Sequence, residues 1–112
     1  MECLCKLKNV FKQIQQFENQ LNKSVGVTLN EAMIICSLSD GIKSSGEISS
    51  DTGISVTRTS RVLGALENKK IVVRSIGEID KRKMLFELTT EGLEKQVQIS
   101  SMKVELDFLN IE

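Results

Sequence analysis

The chain has 112 residues, of which 40% are apolar and 27% are charged, and its fifteen basic and fifteen acidic residues cancel. This length suits one domain, and the composition argues against a disordered or fibrous chain. The zero net charge excludes a general attraction to nucleic acid or anionic lipid, so any such binding must depend on local charge.

Two absences narrow the class of protein. The chain has no histidine, which is the commonest general base and metal ligand. We therefore expect a protein that is not an enzyme and needs no cofactor. It also lacks an apolar run of about 18 residues and the long apolar stretch of a secretory signal, which predicts a cytoplasmic protein with no membrane partner.

The three cysteines, Cys3, Cys5 and Cys36, are an odd number, so a disulfide framework is not implied. Cys36 lies in an apolar run and is expected to be a small buried side chain. Cys3 and Cys5 form a Cys-x-Cys pair of the kind that seeds soft-metal or redox sites, but no further ligand accompanies them. We predict no metal.

The first predicted element is an amphipathic helix over residues 4–23. Its apolar side chains recur at gaps of three and four and fall in one arc: Leu4, Leu7, Val10, Phe11, Ile14, Phe17 and Leu21. Gly26 interrupts this pattern. The segment from Thr28 to Glu31 reads as a capping box, which predicts a second helix that ends near Leu38.

Two short helices joined by a glycine are predicted next. After a turn at residues 40–41, Ser44 to Glu47 repeats the capping pattern ahead of a helix that ends at residue 51 or 52. Gly53 breaks this helix, and Ser55 caps the following one. Two helices with such a turn are typical of a helix-turn-helix, and three apolar side chains are expected to lock their crossing: Ile48, Ile54 and Val62.

The second helix of the pair is predicted from Val56 to Asn68, with one apolar face formed by Thr59, Val62, Leu63 and Leu66. Two strand-like runs, 71–76 and 84–89, then flank the polar segment 77–83. They predict a β-hairpin with a charged tip. A helix-turn-helix followed by such a hairpin is a winged helix, so the predicted fold class is α+β and mostly helical.

The last helix begins at Thr90 and carries apolar residues on two sides. Leu93, Val97, Val104, Phe108 and Ile111 share one face, and Ile99, Met102, Leu106 and Leu109 lie roughly opposite. A helix with two apolar sides needs two partners. We expect these partners to be the first helix of the same chain and a second copy of the protein.

The neutral total conceals a strong separation of charge. Residues 57–83 carry eight basic and three acidic side chains, a net charge of +5, whereas residues 1–56 carry −1 and residues 84–112 carry −4. All four arginines lie in the basic segment: Arg58, Arg61, Arg74 and Arg82. The segment comprises the second helix of the pair and the hairpin, which are the elements that enter DNA in winged-helix proteins.

Four segments carry a family resemblance. They are Ser55 to Leu63, Leu66 to Val72, Asp80-Lys81-Arg82 and Leu88 to Gly92. In this order they resemble the recognition helix, its exit, the wing motif and the strand-to-helix junction of the multiple-antibiotic-resistance regulator (MarR) family. The resemblance spans residues 29–93.

This resemblance implies a homodimer that binds double-stranded DNA and controls transcription. Residues 28–89 would bind DNA, and the helices 4–23 and 90–112 would form the dimer in a single domain, 1–112. The implied dimer contacts are Leu4, Leu7, Phe11, Ile14, Val104, Leu106, Phe108 and Leu109. A small-molecule effector is left open, since no site for one is recognisable.

The resemblance also assigns DNA-binding residues. The recognition helix would lie in the major groove and contribute Val56, Thr57, Arg58, Ser60 and Arg61. The wing would enter the minor groove with Asp80, Lys81, Arg82 and Lys83, where Arg82 is the tip arginine and Asp80 orients it. These residue types suit the task, since arginine binds guanine in two places and a narrow minor groove attracts a guanidinium.

Three features depart from the family pattern. Gly64 lies in mid-helix, where it either weakens the helix or permits close packing. Lys70 replaces a frequent glycine at the end of the recognition helix. Members usually carry a further helix, so we expect a reduced dimer platform.

Two other interpretations stay open. One is a winged helix that binds protein instead of DNA. The other is a regulator that senses redox state or metal through Cys3 and Cys5.

Overall fold

The computed structural model describes residues 2–77 and 82–102. Its helices are α1 (Glu2–Ser24), α2 (Leu29–Leu38), α3 (Ser45–Thr52), α4 (Val56–Asn68) and α5 (Thr90–Ser100). The strands β1 (Lys43–Ser44), β2 (Val72–Ile76) and β3 (Met84–Leu88) form an antiparallel sheet in the order β1-β3-β2. The predicted α+β, mostly helical winged-helix architecture is confirmed for these residues.

The helices begin where local capping residues predict. At α2, the Thr28 hydroxyl accepts from the Glu31 N–H, and the Glu31 carboxylate accepts from the Thr28 N–H. Ser44 and Glu47 form the same reciprocal pair at α3. Ser55 caps α4 by accepting from a backbone N–H three residues on. Such caps involve neighbours in the chain, which is why the sequence reveals them.

One hydrophobic core holds α2, α3 and α4 to the sheet. Its fully buried apolar side chains come from four helices and the α1–α2 loop: Leu21, Val27, Ile34, Ile35, Ile48, Leu63 and Leu66. Burial of each stabilises the fold by about 2 kcal/mol relative to an exposed position. Only the end of α1 takes part, with Leu21 buried and Phe17 packed beside it. The rest of α1 extends away from the core.

The sheet contains one strand that the sequence does not predict. β1 has two residues and pairs with β3, Lys43 opposite Phe86 and Ser44 opposite Leu85. Two residues cannot display the alternation by which a strand is recognised. The predicted hairpin is confirmed, with Val72 opposite Leu88 at the core end of the pair.

The junction of α4, β2 and α5 is unusually close. The Ile71 carbonyl accepts from the Thr89 N–H at 3.0 Å, and the Thr89 hydroxyl donates to the Lys70 carbonyl at 2.6 Å and lies 3.1 Å from the Ile71 carbonyl oxygen. A Cβ on Gly92 would lie 2.2 Å from the same carbonyl oxygen, so only glycine fits. Lys70 has φ of 63°, the left-handed conformation that favours glycine. This conformation explains why the family pattern has a glycine at the position of Lys70.

The structure corrects the expectation for Cys36 and decides between the two alternatives for Gly64. Cys36 is exposed, not buried, because the core side of α2 is formed by Ile34, Ile35 and Leu38 and Cys36 lies on another side. Gly64 has no atom within 4 Å of a Cβ position, so it does not serve close packing. In the described chain, α5 packs mainly against α2 and β3. The expected packing of the last helix against α1 stays a prediction.

The two apolar sides of the last helix are separated as predicted, as far as Met102. Ile99 and Met102 pack against the core, whereas Leu93 and Val97 are exposed. The expected dimer contacts Val104, Leu106, Phe108 and Leu109 lie outside the described residues. Across residues 2–77 and 82–102, no helix has both the length and the apolar character to cross a bilayer.

Candidate nucleic-acid interface

The turn between α3 and α4 is fixed by hydrogen bonds as well as by the core. Gly53 has φ of 80° and ends α3. The Ile54 carbonyl, directly after it, accepts from the Ser49 hydroxyl at 2.5 Å and from the Thr59 hydroxyl at 3.4 Å. Ile48 and Ile54 are buried beneath. The two helices therefore form a rigid helix-turn-helix, with Val62 at its partly buried edge.

The outer face of α4 presents the predicted row of DNA-binding side chains. Thr59, Leu63 and Leu66 point into the core and fix the rotation of the helix. The exposed side chains at its start are Val56, Thr57, Arg58, Ser60 and Arg61. Within the described part of the chain, neither Arg58 nor Arg61 forms an ion pair. Their guanidinium groups are available for an external acceptor.

The wing brings further positive charge to the same part of the molecule. Gly77 donates its N–H to the Lys83 carbonyl at 2.8 Å and so closes the base of the tip. Arg82 and Lys83 are exposed, whereas the predicted Asp80 and Lys81 lie outside the described residues. Hydrogen bonds from Ser44 hold the pKa of Glu47 below its usual value, with smaller contributions from Lys83 and Lys43. Lys83 therefore lies near the start of α3.

Within the described part of the chain, Lys69 and Arg74 bind carboxylates of the protein itself. Both carboxylate oxygens of Glu31 accept from Lys69 at 2.9 Å, and this carboxylate is 5% exposed. Arg74 forms a forked ion pair with Glu67. The charge that α4 and the wing offer to a ligand is therefore smaller than the sequence count of +5 indicates.

Sequence reasoning missed a polar cluster that fixes β1 and α3 to α2. The ammonium group of Lys43 donates to the Ser37 carbonyl at 2.5 Å and lies 3.5 Å from Asp51 and 3.7 Å from Asp40. A hydrogen bond from Ser37, followed by the charge of Lys43, lowers the pKa of Asp51. No short motif signals the cluster, because its members come from separate elements.

The expected dimer helix exposes an apolar surface. Leu4, Leu7 and Phe11 are 63%, 62% and 58% exposed, and Ile14 is half-buried. A groove of about 360 Å³ runs along these residues, with Lys8 and Val10 completing its lining. Exposed apolar area of this kind is typical of an interaction surface.

Solved structures share this fold, although the sequence itself matches no family model and no curated protein. The transcriptional regulator BldR from Sulfolobus solfataricus aligns with 97% of this chain and 78% of its own, at 20% identity and a TM-score of 0.77. BpsR from Bordetella bronchiseptica, whose DNA binding is regulated by 6-hydroxynicotinic acid, aligns with 89% of this chain and 76% of its own, at 20% identity and a TM-score of 0.76.

A cysteine variant of MarR from E. coli, complexed with operator DNA, aligns with 85% of this chain and 71% of its own. The identity is 23% and the TM-score 0.69. At these identities the likeness establishes the fold. The chain has the winged-helix fold of MarR-type regulators, as the sequence motifs predict.

Proposed function

We propose that this protein is a sequence-specific, double-stranded DNA-binding transcriptional regulator of the MarR type that acts as a homodimer. The observation that carries this proposal is the outer face of α4. Its arginines Arg58 and Arg61 are exposed and free of ion pairs in the described chain, on a helix whose opposite side is locked in the core.

The proposed roles follow from the chemistry of each side chain. Arg58 and Arg61 would donate pairs of hydrogen bonds to guanine edges in the major groove. Thr57 and Ser60 are short hydroxyl residues that let the helix approach phosphates closely, and Val56 offers an apolar contact to a thymine methyl group. None of these five side chains is needed for the core, since all are exposed.

The wing would supply the second contact. Arg82 and Lys83 are exposed at its base, and Asp80 and Lys81 precede them in sequence. A guanidinium that enters a narrow minor groove is attracted by the negative potential there. In this proposal Arg82 is the minor-groove residue, with Asp80 as the carboxylate that orients it.

Two similar structures support a DNA ligand. The MarR variant is complexed with operator DNA, and a MepR variant from S. aureus is bound to an oligodeoxyribonucleotide. A small-molecule effector is supported by BpsR, whose DNA binding is regulated by 6-hydroxynicotinic acid.

A homodimer would cover the apolar surface of α1. Leu4, Leu7 and Phe11 are exposed there, as are Leu93 and Val97 on α5. A second copy offers the same residues and buries both sets at once. Phe11→Asp is expected to shift sedimentation from dimer to monomer, because a buried charge without a partner is strongly unfavourable. The control Asn19→Asp, at an exposed polar site of α1, should stay dimeric.

Selection of bound sequences from random duplex DNA tests the DNA-binding proposal and yields the operator. Arg58→Ala and Arg61→Ala are each expected to weaken operator binding by about 1–3 kcal/mol and to relax the preference at one base pair. The control Lys23→Ala removes the same charge from the exposed end of α1 and should bind as wild type. No enriched sequence, or an affinity that does not fall with salt, would contradict DNA binding and favour a protein partner.

Thiol control of the same function is the second candidate. It is favoured by one observation, since Cys3, Cys5 and Cys36 are all exposed. The described residues hold no group of three side chains suited to a metal ion. We expect peroxide to leave the operator affinity of wild type unchanged, and the triple serine variant to bind the operator as wild type does. Loss of a peroxide response in that variant would establish thiol control instead.

A further inference from the structure

The wing is joined to the recognition helix by a forked ion pair. Arg74, the third residue of β2, donates through Nε to Glu67 Oε2 at 2.7 Å and through Nη2 to Glu67 Oε1. Glu67 lies in the last turn of α4. A planar guanidinium held at two points by one carboxylate has its orientation fixed, unlike a single-point contact.

The same guanidinium lies over an aromatic ring of the core. Arg74 is directly opposite Phe86 in the hairpin register, and its Cζ is 5.5 Å from the centre of the Phe86 ring. This ring is buried, so Phe86 anchors the β3 strand of the wing in the core. Glu67, Arg74 and Phe86 together form what we call the wing clamp.

The wing clamp occupies the last row of the hairpin that the core supports. The next pair on the same face, Ile76 and Met84, is exposed even though both side chains are apolar. Beyond the Arg74 and Phe86 row, no buried side chain of the described hairpin joins it to α4, and Leu85 pairs there with Ser44 of β1. Within the described residues, the clamp joins β2 of the wing to the last turn of α4.

We propose that Arg74 is a positioning residue which, through Glu67, sets the angle between wing and recognition helix so that both reach one duplex together. This inference rests on the proposed DNA-binding function. In this role Arg74 does not contact a phosphate of the DNA. Binding of the wing then depends on a carboxylate, Glu67, whose negative charge by itself would repel DNA.

The test compares two duplexes, the selected operator and the same operator shortened to end beneath the recognition helices. Glu67→Gln is expected to weaken binding to the full operator by about threefold to tenfold, while binding to the shortened operator changes less than about twofold. Arg74→Lys keeps the charge but loses the fork, and the same pattern is expected. Glu87→Gln is the matched control, since it removes a negative charge from β3 opposite Val73, away from the clamp.

Salt dependence and a charge exchange complete the experiment. For Arg74→Lys and Arg74→Gln the slope of log affinity against log salt is expected to equal that of wild type, because no phosphate contact is lost. The double variant Glu67→Arg with Arg74→Glu should recover part of the full-operator affinity that Arg74→Glu loses.

Several results would overturn the positioning role. They are tighter binding by Glu67→Gln, full activity of Arg74→Lys, a slope reduced by about one for Arg74→Gln, or equal losses on the two duplexes. A variant that is partly unfolded would also lose affinity equally on the two duplexes, and its lowered urea midpoint would show this independently. If wild type selects no operator at all, the proposed function fails, and that result is distinct from all of these.

Discussion

Gly92→Ala is expected to destabilise the protein far more than an added methyl group does elsewhere. The new Cβ would lie 2.2 Å from the Ile71 carbonyl oxygen and 3.2 Å from two carbon atoms of Leu88. Van der Waals contact between a Cβ and another heavy atom begins at 3.4 Å, more than 1 Å beyond the distance to the carbonyl oxygen. Either the start of α5 or this carbonyl must therefore move. The carbonyl accepts from the Thr89 N–H, and the Thr89 hydroxyl caps α5 by accepting from the Gly92 N–H.

The size of the effect follows from these contacts. Loss of the Thr89 N–H bond to the Ile71 carbonyl and of the Gly92 N–H bond to the Thr89 hydroxyl costs about 1 kcal/mol each, and displaced packing around Leu88 adds a similar amount. Alanine recovers up to about 1 kcal/mol of helix propensity relative to glycine. The free energy of unfolding should therefore fall by about 2–3 kcal/mol, as measured by urea denaturation monitored by circular dichroism. All samples need the same protein concentration, because dimers gain stability from association.

Gly64→Ala is the matched control and should have the opposite sign. Gly64 is also helical without a positive φ, but nothing lies within 4 Å of its Cβ position. Its free energy of unfolding is expected to rise by about 0.5–1 kcal/mol. Equal stability of Gly92→Ala and wild type, or a similar loss for both glycine variants, would refute the close approach at the α5 junction.

Three further predictions concern single side chains, all measured by urea denaturation. Lys70→Gly should raise the free energy of unfolding by about 0.5–1 kcal/mol, because φ of 63° strains a residue with a Cβ; a loss would show that the Lys70 side chain matters more than its backbone. Glu31→Ala should lower it by about 2–4 kcal/mol, since both a helix cap and the Lys69 ion pair are lost, whereas Glu31→Gln keeps the cap and should cost less. The folded-state pKa of Asp51 lies below its ordinary value of 3.8. The stability that its carboxylate contributes is therefore complete above pH 3.8 and is lost as pH falls through the folded-state pKa. Asp51→Asn should make the urea midpoint less dependent on pH below about 5.

The sequence by itself determined the features that depend on near neighbours in the chain. The capping boxes at Thr28 and Ser44 join residues three apart, and both form as predicted. The periodic apolar residues of α4 fix which side is buried, so the exposure of Arg58 and Arg61 could also be predicted. Short-range geometry of this kind is repeated in every helix and therefore leaves a readable pattern.

The tertiary structure alone decided how the basic side chains are used. Composition counts Lys69 and Arg74 together with Arg58 and Arg61, yet the first two bind carboxylates within the described chain. Glu31 is 38 positions from Lys69, so no local spacing reveals that pair. Whether a cation faces a ligand or a carboxylate depends on the packing of separate elements.

The same distinction explains the other misses. β1 exists because residues 43–44 meet β3 about forty positions later, and two residues alone have no strand signal. Cys36 lies in a run so uniformly apolar that periodicity could not show which side of α2 faces the core. In the sequence Gly92 is only part of a motif. The structure shows why a glycine is required there, since the Ile71 carbonyl oxygen occupies the space that a Cβ would need. Local sequence sets where elements begin and which face is apolar, while contacts between distant residues set their partners and their directions.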